Sequence, residues 1–161
     1  MRSLPRTVTY WIPVVLWLAV IALESFRLSS AVTGTYLWEI LKSLHVHMSG
    51  ETFARFHHLL RKAGHVTGYG ILCLLLFRAW LHTLSRSNRR LKLHSAALSL
   101  GLTFITAMLD EWHQEFDPSR TSSLRDVGLD VTGGVLFLLV AIFVFRAWRN
   151  MPVEKLETAA S

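Results

Sequence analysis

The stretch VGLDVTGGVLFLLVAIFVFRAW, residues 127–148, decides the fold. From Val131 to Phe145 it carries no charge, with Asp130 just before and Arg146 just after. A helix crossing a bilayer needs about 20 predominantly apolar residues, and this run supplies them. Three further runs of the same kind lie upstream, at about residues 10–24, 66–84 and 93–109. The expected fold is therefore all-α: a membrane bundle of four transmembrane helices in one domain over residues 1–150. A polar tail, residues 151–161, follows.

Composition agrees. The chain has 161 residues, of which 52% are apolar and only 17% charged, with a mean hydropathy of +0.37. A soluble domain normally devotes about a quarter of its residues to charge. Such hydrophobicity excludes disorder. The net charge of +6 would suggest nucleic acid in a soluble protein. Here it reads as Lys and Arg beside anionic headgroups, with no nucleic-acid partner. Cys73 is the single cysteine, which excludes an intrachain disulfide and a thiolate cluster. No cofactor motif is present.

Arg2 and Arg6 before the first run also fit a signal peptide, but Glu24-Ser25-Phe26-Arg27 follows instead of a small-residue cleavage pattern, so we read an uncleaved span. Pro13 is expected in its first turn, where proline is tolerated. Between the first two spans, Leu37, Ile40, Leu41 and Leu44 recur at helical spacing, and Ser49 is a suitable N-cap before Phe53, Phe56, Leu59 and Leu60. These predict one or two short extracytoplasmic amphipathic helices, the second able to run into the second span.

Lys and Arg counts set the orientation. Both termini and the loop around Arg89 hold ten, and the opposite side holds seven. Nine of the eleven acids lie on or near that second side. The N- and C-termini are expected in the cytoplasm, with the Glu24–Lys62 region and the Asp110–Asp126 loop outward.

Three polar groups then fall at the outward ends of spans. Lys62, His65 and Tyr69 are three and four apart, on one helical face. Asp110 and Gln114 share a face, with Glu111 adjacent. Asp126 and Asp130 share another, followed by Gly133-Gly134. A charge inside a span is costly and marks a candidate functional site, and Asp130 is the clearest case. Each group has a plainer reading. Lys62 suits an interfacial anchor, Asp110 and Glu111 a span end, and Arg120 with Asp126 a structural ion pair. Gly133 and Gly134 suit close helix packing better than phosphate binding. His45, His47, His57 and His58 suit a solvated face better than a metal site.

Taken together, Lys62-x-x-His65-x-x-x-Tyr69, Asp110-Glu111-x-x-Gln114-x-Phe116-x-Pro118-x-Arg120-x-x-Ser123-x-x-Asp126 and Gly133 resemble the VanZ-like family. The resemblance covers about residues 10–146. It implies a small polytopic bacterial membrane protein of the cytoplasmic (inner) membrane and an association with teicoplanin resistance. Asp130 departs from the family, which usually has Asn there.

Three functions compete, the third being a small oligomeric lipid transporter. In the first, Lys62, His65, Tyr69, Gln114, Arg120, Ser123, Asp126 and Asp130 bind an anionic lipid or a lipid-linked cell-wall intermediate at the outer face. Lys62 and Arg120 would contact phosphate. In the second, the chain is a membrane-embedded hydrolase or transferase drawing on His65, Asp110, Glu111 and Asp126. His65 would be a base, or these four residues would hold a divalent metal. No nucleophile motif favours the enzyme, and four spans are few for a lipid transporter unless copies associate. The partners expected are membrane lipids and a lipid-linked cell-wall precursor, with a homo-oligomer left open.

Overall fold

A computed structural model of the chain describes residues 6–27, 30–84, 89–116 and 123–149. They form five helices: α1 (Arg6–Arg27), α2 (Ser30–Ser43), α3 (Gly50–Thr83), α4 (Arg89–Gln114) and α5 (Leu124–Arg149). No strand occurs among the described residues. Four helices, all but α2, are long and apolar enough to cross a membrane. The expectation of an all-α, four-span bundle is met.

α3 is the axis, and α1, α2, α4 and α5 all pack on it. Ser49 caps its start, the hydroxyl accepting from the Thr52 backbone N–H at 3.2 Å, which satisfies one of the donors a helix start leaves open. From there 34 residues run unbroken. At about 1.5 Å per residue that is about 51 Å, against a hydrocarbon core of about 30 Å. The amphipathic segment after Ser49 and the second span are thus one continuous helix, and α2 is the one separate amphipathic helix. α2 lies along the first half of α3, with Trp38 edge-on to Phe53 at 4.9 Å and Thr33 Oγ1 3.0 Å from His57 Nε2.

Small residues set how closely the helices approach. A Cβ on Gly133 of α5 would overlap the Val66 carbonyl of α3. A Cβ on Gly70 of α3 would come within 2.6 Å of the Phe137 ring. Both contacts require glycine because backbone or a ring occupies the space. On α4 the buried face is Ser95, Ser99, Thr103 and Ala107. Each of these three hydroxyls donates to the carbonyl four residues earlier, at 2.9, 2.6 and 2.8 Å, so none of the three is left unmatched on this face.

α1 docks through aromatic contacts: Tyr10 stacks on His82, and Trp11 Nε1 donates to Thr83 Oγ1 at 3.1 Å. Trp17 Nε1 donates to the Gly68 carbonyl at 2.8 Å. The core joining these elements is Val14, Ile21, Tyr69, Leu72, Leu76, Ala79, Ala107 and Val127.

Two local expectations change. Pro13 lies inside α1 rather than in its first turn, because the helix already begins at Arg6. α4 does not stop at Asp110-Glu111 but continues to Gln114. Its carboxylates meet partners on α3 and at the start of α5, so a polar sequence there does not end the helix. The tail 151–161 lies outside the described residues.

Candidate functional site

The polar chemistry gathers where α1 and α4 finish and where α5 begins, against the middle of α3. Helical spacing puts Lys62, His65 and Tyr69 in a row along α3, and each meets a different carboxylate. Lys62 Nζ lies 2.7 Å from Asp126 Oδ1. One turn deeper, His65 Nδ1 lies 3.3 Å from Asp130 Oδ1. Deeper again, the Tyr69 hydroxyl donates to Asp110 Oδ2 at 3.0 Å.

Burial follows the same order. The Lys62 side chain is 38% exposed, that of His65 28%, and Tyr69 is buried. Lys62–Asp126 is a half-exposed pair, whose contribution to stability is small. His65–Asp130 differs, because Asp130 has no exposed surface and neither of its oxygens has a hydrogen-bond partner. At 3.3 Å the imidazole sits beside the carboxylate without meeting hydrogen-bond geometry.

Glu111, buried, accepts the Ser123 backbone N–H at 2.8 Å, and the Ser123 hydroxyl accepts from the Arg125 N–H at 3.2 Å. Ser123 therefore caps α5, and Glu111 places a carboxylate at that helix start, where the macrodipole favours it. Gln114 is 5% exposed, and its Nε2 has no hydrogen-bond partner. The structure thus brings Lys62, His65, Tyr69, Asp110, Glu111, Gln114, Ser123, Asp126 and Asp130 to one end of the bundle. Arg120 lies outside the described residues. Asp126 faces Lys62, and the pairing of Arg120 with Asp126 falls outside the described residues with Arg120.

Beside this row is a cavity of about 280 Å³. α1 contributes Ile21, Glu24 and Ser25, and α2 contributes Thr33 and Leu37. α3 contributes His57, Leu60, Arg61, Gly64, His65, Gly68 and Tyr69, and α4 contributes Asp110 and Gln114. Sequence reasoning missed the wall made by Glu24, His57 and Arg61. Glu24 reads as a span end, and His57 as part of a solvated face. Arg61 carried one signal, its place directly before Lys62 on α3. Lys62, Asp126 and Asp130 do not line the cavity.

Among the described residues no three His, Cys, Asp or Glu side chains form a group able to hold a metal, so the divalent-metal alternative built on His65, Asp110, Glu111 and Asp126 gains no support. The arrangement can do two things chemically. It presents a cation, carboxylates and an amide to a polar guest. It also holds an imidazole against a buried carboxylate.

Four apolar helices with a cluster of paired acidic and basic side chains at one end define a small polytopic helical membrane protein. Within that class the chain belongs to the VanZ/LLP1 family, the VanZ-like family, which it matches over residues 9–146. Comparison with curated proteins gives no match, and comparison with solved structures gives none.

Proposed function

We propose that this chain binds the phosphate-bearing head of a membrane lipid, or of a lipid-linked cell-wall intermediate, in the cavity between α1, α2, α3 and α4. One observation carries the reading: a cavity of about 280 Å³ that combines Arg61, Asp110 and Gln114 with the apolar Ile21, Leu37 and Leu60. Ligand sites typically pair apolar walls with a few placed polar groups, and a lipid head with its first methylenes needs both. The proposed orientation puts this end outward in a bacterial cytoplasmic membrane, with both termini in the cytoplasm, as the Lys and Arg distribution favours. The consequence proposed from the family resemblance is lowered susceptibility to teicoplanin.

The test has two arms. Purified protein in detergent is examined by native mass spectrometry for retained phospholipid, and Arg61→Gln should retain about tenfold less, the value of one charge-assisted hydrogen bond to phosphate. In a glycopeptide-sensitive host, expression should raise teicoplanin tolerance more than vancomycin tolerance. Protein that inserts normally, holds no lipid and leaves susceptibility unchanged overturns the reading.

The His65–Asp130 approach at 3.3 Å favours a second reading, a membrane-embedded hydrolase acting on a phosphate-containing lipid. His65 would serve as general base and Asp130 as the carboxylate that orients it. Release of a soluble head group from labelled lipid by the parent protein, lost in His65→Asn with lipid retention intact, would establish it.

A further inference from the structure

A lipid head as guest leaves its charge open. Resting on the binding reading above, we infer that the cavity takes a head carrying a primary amine beside its phosphate, of the phosphoethanolamine type, in preference to a purely anionic head.

The balance of charge around the cavity points this way. Glu24 and Asp110 line it. Glu111 adjoins Asp110 along α4, and Asp130 stands behind His65. The permanent cation on the wall is Arg61. The neighbouring Lys62 is turned to Asp126, at 2.7 Å. Among the described residues lining the cavity, the two carboxylates Glu24 and Asp110 therefore outnumber the one permanent cation. In a region of low dielectric, a head with only negative charge meets repulsion that a zwitterion with its ammonium on the carboxylate side avoids.

Hydrogen-bonding capacity gives a second, independent sign of a ligand. Gln114 is 5% exposed, lines the cavity, and its Nε2 has no partner. A buried donor left unmatched is costly, and a phosphate oxygen would accept from it. Asp110 accepts the Tyr69 hydroxyl through Oδ2 at 3.0 Å. A carboxylate has about four lone-pair sites, so Asp110 retains capacity for an ammonium N–H. Amine on Asp110 with phosphate near Gln114 and Arg61 uses both ends of a compact head. A volume of about 280 Å³ suits a small head better than an oligosaccharide.

The test compares three lipids of one chain length by native mass spectrometry: phosphatidylethanolamine, phosphatidylglycerol, and phosphatidylethanolamine with its amine acetylated. Phosphatidylethanolamine should be retained at least tenfold more than either other. Asp110→Asn should bring the three towards equality with the helical circular dichroism unchanged. Gln114→Leu should weaken all three together. Excess glycerophosphoethanolamine, which has no tails, should displace bound lipid. Equal retention of the three lipids by the parent, or a preference that survives Asp110→Asn, overturns this inference and leaves the lipid-head reading standing. Retention of none of the three overturns both.

Discussion

His65 Nδ1 lies 3.3 Å from Oδ1 of Asp130, a carboxylate with no exposed surface. A charge so placed is tolerable only beside a compensating group, or when the carboxyl takes up a proton. The two residues should therefore behave as one unit. His65→Leu alone strips Asp130 of its neighbour and should destabilise by about 3 kcal/mol, the scale for breaking one side of a buried pair. The double variant His65→Leu/Asp130→Leu should lose less than the single one. A double-mutant cycle on thermal unfolding in detergent measures the coupling, and simple additivity would sink it.

Asp130→Asn removes the charge and keeps shape and hydrogen-bonding capacity. It should insert normally and hold lipid as the parent does. Asp130→Leu should insert but lose the polar neighbour of His65, and with it lipid retention. Parent-like retention by Asp130→Leu would confine the working site to the α3–α4 side of the bundle.

The α3–α5 contact gives a steric prediction. A Cβ on Gly133 overlaps the Val66 carbonyl, whereas a Cβ on Gly101 meets nothing within 4 Å. Gly133→Ala should cost about 2 kcal/mol or more, the scale of forced overpacking, because backbone cannot yield as a side chain can. Gly101→Ala should be neutral or stabilise by up to about 1 kcal/mol, through helix propensity. Thermal unfolding of the two variants, read side by side, checks the contrast.

α2 ends in a Schellman motif. The Val46 N–H bonds to the Leu41 carbonyl at 2.9 Å and the His45 N–H to the Lys42 carbonyl at 3.0 Å. His45 takes the left-handed conformation, with φ 56°, where glycine is the usual residue. His45→Gly should relieve the Cβ strain and slow amide hydrogen exchange in the last turn of α2. Faster exchange there would contradict it.

For topology, His58→Cys should react with a membrane-impermeant maleimide in intact cells, and Lys92→Cys only after permeabilisation. Both positions are exposed, and the native Cys73 is buried, so background labelling is low. The reverse pattern would invert the orientation.

Local regularities were legible in the residues. The run 127–148 supplies a span length on its own, and Ser49 caps α3 as a hydroxyl before a helical pattern suggests. Lys62, His65 and Tyr69 share a face because three- and four-residue spacing does so in any α-helix. Glu111 and Ser123 were legible as motif members, yet not as partners in one helix cap.

Sequence by itself determined which segments are helical, which could cross a bilayer, and which polar residues share a helical face, because each of these is settled within one helix. Tertiary structure decided the pairings: Lys62 with Asp126, His65 near Asp130, Tyr69 with Asp110. It also decided that Glu24, His57 and Arg61 share a wall with Asp110. These depend on how each helix is rotated and how closely it approaches its neighbour. Backbone contacts fix that approach, such as Gly133 on the Val66 carbonyl, and no spacing along a single strand of sequence encodes the partner on the other side.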